Sequence, residues 1–211
     1  MESPHEIRDM LPRVPRFAGR GIDSLRIERL AGLTNRNYKI VDGSKSFVLR
    51  IPGEGTSEYI SRRQEAVAAR IAAEAGVNAP VLHFDESDGL MLTEFIEGAA
   101  TMNSERFKDL GSVARAAAAF RRIHACGKRF ASEFELFQKM DEYLDYLGKK
   151  NARIPDGYAE VQREAEAVRA ALNAHPAKLV PCHCDPLAEN FLDTGRRIYI
   201  IDWEYAGNND P

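Results

Sequence analysis

The sequence predicts an α+β chain of two lobes, a small antiparallel-sheet lobe with one helix followed by a mostly helical lobe. Three observations predict it. Short β-rich runs separated by turn residues fill residues 1–96. Long segments with apolar residues at helical spacing dominate residues 97–211. A closing stretch, Val180 to Pro211, returns to a strand–turn–strand pattern and gathers acidic and amide residues.

The bounds suit that architecture. A chain of 211 residues has room for two lobes and a sizeable core. Its 44% hydrophobic and 29% charged residues are those of an ordinary globular protein. A net charge of −3 without a basic block argues against nucleic acid as a partner. No apolar run approaches the roughly 18 residues of a membrane span, and the N-terminus MESPHEIRDMLPRVPRF has no apolar signal core. Three cysteines, Cys126, Cys182 and Cys184, make no disulfide framework, so a reducing, cytoplasmic location is expected.

In chain order, the first twenty residues read as a short helix and an irregular lead-in. Strands follow at Leu25–Leu30, Tyr38–Val41 and Phe47–Ile51, joined by turns at Ala31–Asn35 and Asp42-Gly43, which is an antiparallel meander. A helix is expected over Tyr59–Ala75, with Ile60, Val67, Ile71 and Ala75 as its stripe and Gly76 as its stop. Val81–Phe84 and Leu90–Ile96 flank a hairpin turn at Ser87–Gly89, and Glu97-Gly98 forms a hinge. Ser104 is placed to cap a long helix to about Ala125, with Phe107, Leu110, Ala114 and Ala117 on one face. Helices at Phe134–Leu147 and Tyr158–Ala174 follow, the latter with a Val161, Ala165, Val168, Leu172 stripe. The chain stops at Asp210-Pro211 directly after the acidic stretch, so further helices are expected in the natural protein.

That stretch sets His183, Asp185, Asn190 and Asp202 in fixed order. A turn at Asp193–Gly195 lies between Leu192 and the β-rich run Ile198–Ile201. A hairpin centred near Arg196 brings Asn190 and Asp202 side by side at its open end. An amide oxygen and converging carboxylates suit a hard cation such as Mg²⁺. Asp185 is then free to orient a hydroxyl and accept its proton. The spacing His183-x-Asp185-x₄-Asn190 is that of the protein-kinase catalytic loop, with Asp202 in place of the Asp of D-F-G. His183 reads as a hydrogen-bonding brace. Zinc at Cys182–Cys184 is disfavoured, because neighbours on a strand point to opposite faces.

The chain resembles the choline/ethanolamine kinase family, within the aminoglycoside-phosphotransferase-like group of the protein-kinase-like fold. The residues that carry the resemblance are Gly32–Tyr38, Phe47–Gly53, Leu92–Gly98, Arg122–His124 and His183–Pro211. The Gly32-Leu-Thr-Asn-x-Asn37 loop and the Asn209-Asp210-Pro211 ending resemble bacterial choline kinase-like members. The resemblance implies an ATP- and Mg²⁺-dependent kinase. Asp185 would be the catalytic base, and Asn190 and Asp202 would hold Mg²⁺. Arg50 stands at the β3 cation position, where most kinases carry Lys, and Glu65 would hold it in place. Gly32, Thr34, Asn35 and Asn37 would face the phosphates, and Glu94 to Ile96 would meet adenine.

The acceptor is read from charge. Asp185, Glu189, Asp202, Glu204 and Asp210 make the site acidic, which suits a cationic substrate. Glu204, Trp203 and Tyr205 are the candidate substrate residues, the two rings by cation–π attraction or else as packing. Choline, ethanolamine and an aminoglycoside all meet this description, and an inactive nucleotide-binding module is the alternative of another class.

Overall fold

The computed structural model describes residues 7, 9–32 and 34–211, apart from the Ile22 side chain. Part of the N-terminal lead-in and Leu33 of the Gly32–Asn37 loop lie outside the described residues.

Five strands form one antiparallel sheet in the order β1-β2-β3-β5-β4: β1 (Arg26–Leu30), β2 (Arg36–Asp42), β3 (Lys45–Ile51), β4 (Val81–Phe84) and β5 (Met91–Glu94). The meander is as expected, and β2 pairs β3 from Arg36↔Ile51 to Asp42↔Lys45. Strand alternation divides β3 between two environments. Phe47, Leu49 and Ile51 join Ile7, Leu11, Val14 and Phe17 in an apolar cluster, so the lead-in is a packed cover rather than an irregular approach. Arg50 stands on the opposite side, buried, with its guanidinium near the Phe84 ring.

On that side lies helix α1 (Arg62–Glu74). It begins three residues later than the spacing predicts, because Thr56–Glu58 forms a separate 3₁₀ turn. Its buried face is Arg62, Glu65, Ala66, Ala68, Ala69 and Ala72; of the expected stripe, Ile60 is buried just before the helix, and Ile71 and Ala75 pack at the edge of that face. Small alanines let the helix lie close, and two charged residues share that face because they find ionic partners beneath it. The Ala66–Ala72 face, Phe84 and Met91 belong to one cluster with Met102, Ile123, Phe191, Ile200 and Trp203. One apolar cluster lies wholly within the first 96 residues, and the other runs from α1 into the residues beyond.

Beyond β6 (Ala100–Thr101) come helices α2 (Leu110–His124), α3 (Leu136–Lys149) and α4 (Tyr158–Ala174). Helix α2 is capped by Asp109, which accepts from Ser112 N–H at 2.7 Å; Ser104 does not cap it, since a 3₁₀ turn at Arg106–Lys108 intervenes. Its predicted face is also displaced. Leu110 is 81% exposed, and Ser112, Ala116, Ala119 and Ile123 are buried instead. Helix α4 has the expected bounds, yet its Val161–Val168–Leu172 stripe is exposed. Strand β7 (Val180–Cys182) pairs with β10 (Gly207–Asn209), and β8 (Phe191–Asp193) pairs with β9 (Ile198–Ile200) and β6. No helix among the described residues is long and apolar enough to cross a membrane.

Candidate active site

The loop after β7 is built around a histidine. His183 is buried, and burial pushes its imidazole below the usual value, so the ring is neutral. Its Nδ1 accepts from Asp185 N–H at 3.3 Å, which leaves Nε2 to donate to the Ile201 carbonyl at 2.8 Å. One ring therefore ties the loop that holds Asp185 to the strand that leads into Asp202. Cys184, at φ +64°, turns the chain between His183 and Asp185. Asn190 donates to the Asp185 carbonyl at 3.0 Å and lies 3.5 Å from its carboxylate, so its amide oxygen remains as the ligand atom. The hairpin is one step off the predicted register. Phe191 pairs with Ile200, which sets Asn190 against Ile201 rather than Asp202, and Ile201 N–H donates to Asn190 O at 2.9 Å. Asp202 then leaves the strand at φ +67°, a left-handed conformation that, glycine aside, short polar residues adopt most readily.

Asp202 turns into a buried ionic cluster fed by the first lobe. Arg50 pairs with Glu65 Oε1 through NH1, and the same NH1 reaches Asp202 Oδ1 at 3.3 Å. Its NH2 donates to Gly89 O at 3.2 Å. The sequence expectation that Glu65 partners Arg50 agrees with this geometry. Asn35 comes in from the other side. Its amide nitrogen donates to Asp202 Oδ1 at 3.3 Å and to Glu204 Oε2 at 3.4 Å, while its oxygen accepts from Gly53 N–H at 3.3 Å. Carboxylate oxygens of Glu65, Asp202 and Glu204 fall within 4.8 Å of one another. Glu65 is already held by two guanidiniums, so Asp202 and Glu204 are the members with capacity for a cation. Burial, followed by the charge of Asp202, pushes Glu204 up to about 7; burial also raises Asp202, against the pull of Arg50. Crowded, partly neutralised carboxylates of this kind gain from a divalent cation, and Mg²⁺ fits the oxygen donors that Asn190, Asp202 and Glu204 offer.

The other expected residues fall around this cluster. Gly32 makes a turn so tight that a Cβ there would collide with the Asn35 carbonyl. Thr34 is exposed and faces Gly53, and Asn37 donates to Ala31 O at 3.2 Å, closing the turn. The Asn35 side chain reaches the carboxylates. Glu94 ends β5 and Ile96 opens the connection to the second lobe. Trp203 offers no ring face to a substrate: it is 2% exposed, packs edge-on against His183 and Phe130, and donates to Ile200 O. Tyr205 is half-buried, and burial together with nearby Tyr143, Glu204 and Tyr59 raises its phenol. Tyr59 and Tyr143 were not singled out in the sequence. Neither were Arg62 and Thr56, whose only signal was a second arginine three residues before Glu65.

Comparison with known proteins gives this arrangement relatives. The structure of a choline/ethanolamine kinase family protein from Mesorhizobium loti is 51% identical, with a TM-score of 0.83 over 98% of this chain and 66% of that one. Choline kinase LicA from Streptococcus pneumoniae is 29% identical, with a TM-score of 0.77 over 90% of this chain and 68% of that one. Protein LicA of Haemophilus influenzae is 28% identical over 193 residues, 89% of this chain and 56% of that protein. The chain thus spans little more than half of this last relative. The fold shared with these kinases is protein-kinase-like. Residues 26–211, the meander, α1, the braced loop and the acidic hairpin together, match a single family, and the chain belongs to the phosphotransferase enzyme family.

Proposed function

We propose that the chain transfers the γ-phosphate of ATP, with Mg²⁺, to the hydroxyl of a small cationic amino-alcohol, choline or ethanolamine. One observation carries the reading: Arg50, paired with Glu65, reaches Asp202, and the loop of Asp185 and Asn190 is bonded to Ile201, the residue just before Asp202. Phosphoryl transfer asks mainly for position and charge, and these are the groups it needs. Bound Mg²⁺ would neutralise phosphate charge, held by Asn190 and Asp202. Arg50 lies beside Asp202 and contacts phosphate oxygens as a planar donor. Asp185, fixed by its backbone bond to His183 and by Asn190, orients the acceptor hydroxyl and takes its proton. The Gly32–Asn37 turn presents backbone N–H groups toward the phosphates, and the Glu94–Ile96 segment meets adenine.

The cationic acceptor is supported by the groups that act on Tyr205. Tyr59, Tyr143, Glu204 and Asp185 all raise its phenol electrostatically. Aromatic faces beside carboxylates favour an ammonium group. Choline kinase is what the Streptococcus pneumoniae relative is called.

A coupled ADP-release assay over choline, ethanolamine, thiamine, homoserine and aminoglycosides tests the proposal. Release is expected with an amino-alcohol and Mg²⁺ together, and with neither alone. Asp185→Asn is expected to keep nucleotide binding and lose about 10²–10⁴ in turnover. Release with aminoglycosides only would move the acceptor class. Nucleotide binding without release from any acceptor would favour an inactive binding module.

A further inference from the structure

Arg62 is the buried cation that the proposed chemistry leaves unused. Its side chain is 3% exposed at the first position of α1. This is a costly place for a guanidinium. Burial removes its hydration, and the helix N-terminus carries the positive end of the macrodipole. An apolar residue of similar volume would serve packing alone at lower cost. The partners explain its presence. NH1 pairs with Glu65 Oε2 at 2.8 Å and lies 3.5 Å from Glu204 Oε2, and NH2 donates to the Thr56 hydroxyl.

The two guanidiniums divide the carboxylates between them. Glu65 gives one oxygen to Arg50 and the other to Arg62. Beyond it, Arg50 reaches Asp202 and Arg62 reaches Glu204, and Asn35 joins those two carboxylates on the far side. Because Arg62 occupies the second oxygen of Glu65, NH1 of Arg50 is confined to the first and to Asp202. Thr56 in turn fixes the other end of Arg62, accepting from NH2 while its hydroxyl donates to Gly53 O at 2.7 Å.

We infer that Arg62 is a positioning residue of the phosphoryl-transfer site, which holds the Glu204 carboxylate beside Asp202 and keeps Arg50 directed at Asp202. The inference rests on the proposed Mg²⁺–nucleotide reading of the site. It gives Glu204 a place on the metal side of the site, whatever it contributes toward the acceptor. Lysine keeps the charge but, as a point donor, does not bridge Glu65, Glu204 and Thr56 together.

The experiment compares binding of Mn²⁺–ATP, followed by the electron paramagnetic resonance signal of free Mn²⁺, with binding of ATP in EDTA. Neither measurement needs an acceptor. Arg62→Lys is expected to weaken Mn²⁺–ATP about tenfold, as loss of a group orienting metal ligands does, and to weaken metal-free ATP by a smaller factor, through Arg50 alone. Glu204→Gln is expected to act in the same direction, and the double variant to be no weaker than the worse single one, since both act through one carboxylate. Thr56→Val, which removes only the hydroxyl, is expected to give a smaller loss and decides the matter if Arg62→Lys fails to fold. Wild-type Mn²⁺–ATP affinity in Arg62→Lys or, failing that, in Thr56→Val overturns the inference, as does additivity with Glu204→Gln. Absence of Mn²⁺–ATP binding in the wild type overturns the functional reading itself.

Discussion

The amide nitrogen of Asn35 stands 3.3 Å from Asp202 Oδ1 across 167 residues of sequence, while its oxygen accepts from Gly53 N–H. One side chain thus fastens the turn before β2 and the segment after β3 to the acidic end of the hairpin. Asn35→Asp would exchange its donor for an anion facing Asp202 and Glu204. The expected loss is about 2 kcal/mol of stability in EDTA, partly recovered with Mg²⁺. Urea unfolding under both conditions measures it, and a variant as stable as wild type in EDTA would refute the role given to Asn35.

Gly89 touches both buried guanidiniums. Its carbonyl accepts from Arg50, and a Cβ added at its φ of +87° would lie 2.6 Å from Arg62 Cδ. Gly89→Ala therefore meets backbone strain and a collision, for an expected loss of about 2–4 kcal/mol. Gly43 is the control: its φ is +62°, yet no atom lies within 4 Å of the added Cβ. Gly43→Ala is expected to lose only the strain, about 1–2 kcal/mol. Equal losses at the two positions, by urea unfolding, would remove the argument from the arginine contact.

Asp193 anchors the closed end of the β8–β9 hairpin. It accepts from Arg115 Nε at 3.0 Å and NH2 at 2.6 Å, from Ser112 Oγ at 3.1 Å and from Gly195 N–H at 2.8 Å. Arg115 holds its carboxyl below the ordinary range. A depressed folded value means that this stability is fully present above the unfolded carboxyl value, about 3.9, and is lost as pH falls through the lower folded one. Asp193→Asn is expected to cost about 2 kcal/mol at neutral pH and to flatten the acid limb of stability below pH ~4. Parallel curves for variant and wild type in acid would count against it.

Burial pushes the Cys182 thiol up to about 11 and raises that of Cys184 as well. Alkylation of Cys182 by iodoacetamide at pH 8 is therefore expected to run on the order of a hundredfold slower than that of a free thiol. Mass spectrometry of the labelled, folded chain reads the rate; labelling at the free rate would show that the thiol is not buried.

Much of this was legible in the chain itself. The meander, the hairpin after Asn190 and the bounds of α4 follow from local periodicity and turn chemistry, which act within a few residues. The pairing of Arg50 with Glu65 followed from the resemblance. The buried faces were less legible. Leu110 is apolar and exposed, while Arg62 is charged and buried, because a face is chosen by what lies opposite and not by its own hydropathy. Trp203 went the same way: its indole N–H found the Ile200 carbonyl, so the ring entered the core rather than lining the site.

The sequence by itself determined that His183, Asp185 and Asn190 would meet, since one short loop brings them together, and that Asp202 would follow at the end of the next hairpin. Only the tertiary structure decided what Asp202 and Glu204 meet. Arg50, Arg62 and Asn35 come from the other lobe, where their charge and hydrogen-bonding capacity must be satisfied without water. That requirement, the cost of burying polar groups unpaired, joins the two lobes at this point and has no local trace in the chain.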